Sequence, residues 1–164
     1  MNFLEQLAAE WYGYKGRFVR TNCRARKRPR GGWDVELDVL AFGLQDGELI
    51  HLEASGDADL WRQRKARFLK KFILDKQEYE SIVGGTVRSV RKIALVGYAE
   101  STRANLNWGN DIEVMLIPHF VQGIICELKK KDFMREAVPE SFPLLRAIQL
   151  GVSVVDAQGQ SDTA

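Results

Sequence analysis

The chain has 164 residues, of which 45% are hydrophobic and 28% charged, and this is enough to bury one core and too little to promise two. The formal net charge is only +2, so no strong overall field points to a partner. The two cysteines, Cys23 and Cys126, are far apart and have no zinc-ligand spacing, which excludes a disulfide framework and favours a reduced, intracellular protein.

Nothing in the sequence is typical of a membrane protein. No apolar run approaches the roughly 20 residues that a spanning helix needs. The first residues, MNFLEQLAAEWYGYKG, carry acidic side chains where a secretory signal would be basic. We therefore expect a soluble, cytoplasmic protein with no membrane partner.

Residues 2–15 are predicted to form an amphipathic helix with Asn2 as its N-cap. At helical spacing, Glu10 falls near the centre of the apolar stripe, so its carboxylate points toward the core. A buried carboxylate must find a cation, a metal or a hydrogen-bond network. An ion pair with an arginine such as Arg17 or Arg20 is the alternative to a functional role.

The next segment is predicted as a short strand over residues 17–22, followed by a basic loop that runs to the Gly31-Gly32 pair. Six basic residues fall within this short segment: Arg20, Arg24, Arg26, Lys27, Arg28 and Arg30. Such a cluster favours binding to a polyanion such as DNA. A loop that is simply solvated is the equally weighted alternative.

Residues 33–42 and 48–54 alternate in the manner of strands and are joined by a short turn, which predicts an antiparallel hairpin. Asp38 has poor β propensity in the middle of the first strand, and Glu53 lies on the second. The expected register lets the two carboxylates share one face near one end of the hairpin. Their repulsion would be relieved by a hard divalent cation such as Mg²⁺. An exposed polar face of the hairpin is the alternative.

The second half of the chain alternates helices and strands. A helix from Ala58 to Lys76 has Asp57 as its candidate N-cap; buried strands at residues 92–98 and 111–118 are expected to pair in parallel; helices follow at 120–130 and 142–150. The predicted fold is a single α/β domain over residues 1–150, a mixed central sheet flanked by helices, with 151–164 as a frayed C-terminal segment.

The segments AAEWYGYKGRFVRTN, GGWDVELDVLAF and LIHLEAS, in this order and setting, resemble the PD-(D/E)xK, or restriction-endonuclease-like, nuclease superfamily over roughly residues 2–118. The resemblance implies that Asp38 is the core aspartate, Glu53 the glutamate of the ExK half-motif and Glu10 the glutamate of the first helix. It further implies that these three residues bind Mg²⁺ or Mn²⁺ and that the chain cleaves DNA.

The chain departs from the family pattern at Ser55, which stands where the ExK lysine is expected. In that family the lysine helps to orient the attacking water and to stabilise charge, and some members supply it from a neighbouring element. Lys65 is the candidate here, because its spacing from Trp61 and Phe68 places it within the apolar stripe of its helix. A lysine that extends past the aromatic rings to solvent is the alternative. His51, two residues before Glu53, is a further candidate ligand, although a lone strand histidine is more often structural.

The leading hypothesis is a Mg²⁺- or Mn²⁺-dependent DNA endonuclease. Asp38 and Glu53 would bind the metal, Glu10 would hold a second metal or a bound water, and Lys65 would assist the chemistry. One alternative is a catalytically inactive module of the same fold that binds DNA or a partner. Another is a subunit of a larger repair or defence assembly, and a homodimer or a protein partner is compatible with each.

Overall fold

The computed structural model describes residues 2–56, 61–97, 108–109 and 111–161, and for 155–161 it describes the backbone alone. The chain forms two compact units, residues 1–117 and 118–164, which are treated separately below. Within the described residues, no helix is long and apolar enough to cross a membrane.

The elements follow one another in a helix, three strands, two helices, two strands and two helices. Their bounds are α1 Phe3–Tyr14, β1 Phe18–Lys27, β2 Trp33–Phe42, β3 Glu48–Ser55, α2 Trp61–Lys71, α3 Lys76–Val83, β4 Ser89–Val96, β5 Ile112–Leu116, α4 Ile117–Leu128 and α5 Pro143–Ser161.

The five strands form one mixed sheet in the order β1-β2-β3-β4-β5. The β1–β2 and β2–β3 pairs are antiparallel, and the β3–β4 and β4–β5 pairs are parallel. The predicted hairpin, the predicted parallel pairing and the α/β fold class with a mixed sheet flanked by helices are confirmed. The parallel pairing of β3 with β4 continues as far as Ser55, and Glu53 is buried in this part of the strand.

Helix α1 begins as predicted at Asn2, whose side-chain oxygen accepts hydrogen bonds from the N–H groups of Leu4 and Glu5. The carboxylate of Glu5 in turn accepts from the Asn2 N–H at 3.1 Å and from Asn2 Nδ2 at 2.6 Å. This reciprocal capping box satisfies N–H groups that the first helical turn leaves without partners.

The prediction of a strand that ends at residue 22 is wrong, because β1 continues to Lys27 and stays paired with β2 as far as Trp33. Cys23 and Ala25 are buried in a cluster with residues of β2 and of the α3 region, which stabilises the extended backbone. The basic residues up to Lys27 therefore lie on a strand at the edge of the sheet, and the loop is reduced to residues 28–32.

The predicted helix over residues 58–76 corresponds to α2 and is too long at its C-terminal end, and α3 is a separate helix that was not predicted. α2 ends at Lys71, and α3 begins after Asp75, whose carboxylate accepts from Glu78 N at 2.9 Å in a second capping box. Lys92 Nζ donates to the carbonyl of Phe72 at 3.0 Å, near the C-terminal end of α2. The predicted cap Asp57 lies outside the described residues.

The second unit contains α4 from residue 118 and α5. Helix α4 buries Phe120, Ile124 and Leu128, which repeat at four-residue spacing. Helix α5 continues to Ser161, past the predicted end at residue 150, so most of the segment expected to be frayed has helical backbone. The division of the chain into domains at residue 150 stays a prediction.

Candidate active site at the end of β3

Asp38 occupies a break in the sheet. The β1–β2 ladder omits the pair formed by Asp38 and Asn22, whose φ is 51°, and the β2–β3 ladder ends at Val39 and Leu52. Beyond that point side chains replace the ladder: Asp38 N donates to Glu53 Oε1 at 3.1 Å, and Ala54 N donates to Asp38 Oδ2 at 3.0 Å. Each carboxylate thus uses one oxygen to accept a hydrogen bond from a backbone N–H of the opposite strand.

The remaining oxygens of these carboxylates converge on one cation, the ammonium of Lys71 at the end of α2. Lys71 Nζ lies 2.6 Å from Asp38 Oδ1 and also contacts Glu53 Oε2. Burial alone would lower the pKa of Lys71, but the two carboxylates outweigh it and raise that pKa above its ordinary value. Lys71 therefore stays charged and bridges two acidic groups that would otherwise repel each other.

The lysine that contacts both carboxylates is Lys71, whereas a role for Lys65 in catalysis stays a prediction. The two lysines lie three residues on either side of Phe68, which is buried against the sheet, so helical geometry places them on opposite flanks of that ring. The site lies on the flank of Lys71. Lys65 is absent from the described residues that line the pocket. The apolar stripe of the helix does not predict which lysine faces the site, because Lys65 and Lys71 are both three residues from Phe68.

A pocket of about 180 Å³ lies around these groups, which is below the roughly 300–1,000 Å³ of sites for drug-sized ligands. Its described lining residues are Glu5, Asp38, Glu53, Ala54, Ser55, Arg67, Phe68 and Lys71. Ser55 accepts a hydrogen bond at 2.7 Å from Nη2 of Arg67. The pocket therefore suits a small charged group. Arg67 was not predicted as a site residue, because the helical pattern of the sequence does not show that it faces the pocket.

Behind Glu53, a buried chain of hydrogen bonds reaches Tyr79 on α3. His51 Nδ1 lies 2.7 Å from the Tyr79 hydroxyl, and His51 Nε2 lies 2.7 Å from Glu53 Oε1. Burial raises the pKa of Tyr79, so its hydroxyl keeps its proton and donates to Nδ1. The Nε2–H then donates to Glu53. Both ring nitrogens of His51 are therefore used within the protein, and His51 is not placed as a metal ligand.

The electrostatics of this chain keep His51 neutral. Burial, together with the charges of Lys71 and Lys92, lowers the pKa of His51 to about 3. Burial and the charge of Asp38 raise the pKa of Glu53 well above its ordinary value, and the contact with Lys71 opposes that rise. When this pair takes up a proton, Glu53 therefore holds it and the ring of His51 stays neutral.

The structure brings two of the three predicted carboxylates together. Glu10 is buried and accepts a hydrogen bond from Gln6 Nε2 at 3.0 Å, but it is not among the described lining residues of the pocket. Glu5 is the α1 carboxylate on that lining. In the described ranges, no group of three or more His, Cys, Asp or Glu side chains is arranged to hold a metal ion.

Neither Arg17 nor Arg20, the arginines named as possible partners of Glu10, forms an ion pair with it. Arg17 forms ion pairs with Asp46 at 3.0 Å and with Glu48 at 2.7 Å. The guanidinium of Arg20 donates to the carbonyl of Ile82. Both arginines therefore stabilise other parts of the first unit.

The six basic residues of the predicted DNA-binding segment divide into two groups. Three are hydrogen-bonded within the protein: Arg20 to the carbonyl of Ile82, Arg26 to Glu78 at 2.7 and 2.9 Å and to the carbonyl of Ile73 at 3.2 Å, and Arg28 to Asp34 at 2.5 Å. Arg24, Lys27 and Arg30 are exposed. Within the described ranges these three form no ion pair. Half of the segment is thus available to a ligand.

No family model matches the chain, and no curated protein matches its sequence. Solved structures that it resembles include a crystal structure of the protein of unknown function AF1548, with 12% identity over 93% of this chain and 96% of that one and a TM-score of 0.47. The small subunit (R.BspD6I2) of the heterodimeric restriction endonuclease R.BspD6I aligns over 90% of this chain and 88% of its own, with 12% identity and a TM-score of 0.34. At this level of similarity, a function for this chain has to rest on its own residues.

Proposed function

We propose that the chain is a metal-dependent DNA phosphodiesterase whose active site is formed by Asp38, Glu53 and Lys71. The observation that carries the proposal is the contact of Lys71 with both carboxylates. It supplies, from α2, the lysine that the resemblance to restriction-endonuclease-like nucleases expects at Ser55. Two acids and a lysine that meet at the end of a strand form a suitable set for hydrolysis of a phosphodiester.

The donor set of the pocket fits Mg²⁺ or Mn²⁺. Mg²⁺ in phosphoryl-transfer sites is commonly held by one or two carboxylates, with water and substrate phosphate as its other ligands. Asp38 and Glu53, whose Oδ1 and Oε2 atoms both contact Lys71 Nζ, are the residues that would hold the ion. The bound ion would lower the pKa of an attacking water and neutralise charge on the phosphate.

The chain's own residues would position and stabilise the reacting groups. The backbone N–H groups of Asp38 and Ala54, together with His51, fix the orientation of the two carboxylates. Because its pKa is raised, Lys71 holds its proton and is suited to stabilise negative charge rather than to accept a proton. Arg24, Lys27 and Arg30 would bind the DNA backbone without reading its sequence.

The test is cleavage of supercoiled plasmid and of labelled oligonucleotides in Mg²⁺ or Mn²⁺, with EDTA as the blank. We expect Asp38→Asn to abolish cutting and Lys71→Ala to lower the rate by about 100-fold, as removal of one charge-stabilising donor does elsewhere. Lys65→Ala on the same helix is the matched control and should cut at the wild-type rate. Cleavage that survives Asp38→Asn, or is lost in Lys65→Ala but not in Lys71→Ala, contradicts the proposed site.

A specific observation also favours a second candidate, a catalytically inactive module that binds DNA or a partner. Every oxygen of Asp38 and Glu53 already has a donor within the protein, so the cluster is satisfied without a metal. This candidate predicts equal DNA binding by the wild type and Asp38→Asn, and no cutting by either. The oligomeric state is a separate question. Light scattering of the same samples would show whether the chain is a monomer or a homodimer.

A further inference from the structure

Helix α2 concentrates positive charge beside the pocket. Lys and Arg account for six of its 11 residues, and none of its residues is acidic. Arg62, Arg67 and Lys70 are exposed, while Lys71 is held by the two carboxylates. Like charges at helical spacing repel each other, so an anion bound beside this helix would relieve part of that repulsion.

Arg67 is the member of this group that reaches the pocket. Its Nη2 donates to Ser55 Oγ at 2.7 Å, and Ser55 is the last residue of β3, two residues after Glu53. Among the described lining residues, Arg67 and Lys71 are the two cations. Arg67 is exposed, whereas Lys71 lies deeper against Asp38 and Glu53, so an anion that enters the pocket from solvent meets the guanidinium of Arg67.

We infer that Arg67, oriented by Ser55, binds a non-bridging oxygen of the phosphodiester that enters this pocket. The identity of the ligand as a phosphodiester rests on the proposed function. A guanidinium presents five N–H donors in a planar fork that matches the geometry of phosphate oxygens, so the contact with Ser55 orients the group and leaves its fork geometry intact. The serine at the position of the family's lysine thereby has a role, which is to hold Arg67.

The test compares the dinucleotide thymidylyl-thymidine with its methylphosphonate analogue, which lacks the charged oxygen. Binding is followed by NMR titration in EDTA and again in Ca²⁺. We expect the wild type to bind the charged dinucleotide about tenfold more tightly or better, the range for a charge-assisted hydrogen bond. In Arg67→Ala this preference should fall to about twofold or less, and Arg67→Lys should restore part of it.

The controls separate this role from folding and from catalysis. Arg62→Ala removes an exposed cation from the same helix and should keep the wild-type preference, whereas Ser55→Ala should give an intermediate one. Thermal unfolding of each variant shows whether the fold is retained. An unchanged preference in Arg67→Ala, or an equal loss in Arg62→Ala, overturns the inference. If no variant or condition cuts DNA while the preference still depends on Arg67, the nuclease proposal fails and the anion site stands.

Discussion

At the scale of single residues, the two oxygens of each carboxylate, Asp38 and Glu53, have different partners. One oxygen of each accepts a backbone N–H from the other strand, and the second oxygen faces Lys71. The side chains that form the candidate site therefore also accept the backbone hydrogen bonds that the interrupted ladder leaves without strand partners. Any cation that replaces the ammonium must bind the same two oxygens.

The proposed binding of a metal by Asp38 and Glu53 leads to a prediction for Lys71, because the ammonium would compete with the metal for the same oxygens. Lys71→Met leaves two close carboxylates without their cation, and loss of one partner from a buried pair costs about 3–5 kcal/mol of unfolding free energy. We expect a loss near the lower end of that range in EDTA, because the Lys71 side chain is 31% exposed. Mn²⁺ should then stabilise Lys71→Met more than the wild type, since it no longer competes with the ammonium.

Urea unfolding with and without Mn²⁺ measures both effects. Lys70→Met, which changes the exposed neighbour, is the matched control and should respond to Mn²⁺ as the wild type does. Equal stabilisation of Lys71→Met and the wild type by Mn²⁺ would show that the metal binds elsewhere.

At the scale of elements, the sequence predicted the features that depend on the spacing of apolar residues along one element. The hairpin and the meeting of Asp38 with Glu53 followed from two-residue alternation and a short turn, and both are found. The predicted β1 was too short because arginines alternate with the small residues Cys23 and Ala25, and only packing against the α3 region shows that those positions are buried. Periodicity also did not predict that Lys71, rather than Lys65, contacts the two carboxylates, because tertiary contacts decide which flank of the helix faces the site.

The extended form of β1 sharpens the prediction for DNA binding. Arg24 is exposed and forms no ion pair with any described residue, whereas the guanidinium of Arg28 lies 2.5 Å from Asp34. We expect Arg24→Ala to weaken DNA binding and to reduce the dependence of log K on log salt by about 0.9 for each phosphate that the variant no longer neutralises. Arg28→Ala should change both quantities less. Fluorescence anisotropy with one labelled duplex over a series of KCl concentrations measures them, and a larger effect from Arg28→Ala would contradict this division of the basic residues.

At the scale of the whole molecule, the stability of the first unit is linked to pH through the buried site. The pKa of His51 is lowered to about 3 from an ordinary 6.5, so between these values the unfolded chain binds a proton that the folded chain does not. The raised pKa of Glu53 acts in the opposite direction, because there the folded chain retains the proton. In the wild type the two groups oppose each other between pH 4.5 and 6.5, the ordinary pKa values of Glu53 and His51.

Glu53→Gln removes this compensation. The causes that lower the pKa of His51 are burial and the charges of Lys71 and Lys92, and the substitution removes none of them. The stability contributed by neutral His51 is then complete above pH 6.5 and is lost as the pH falls toward 3, by up to about 1.4 kcal/mol per pH unit. All four tryptophans lie within residues 1–117, so urea unfolding followed by tryptophan fluorescence in EDTA reports on the unit that holds the site. Addition of His51→Asn to Glu53→Gln should remove the slope, and the same slope in both variants would show that another group causes it.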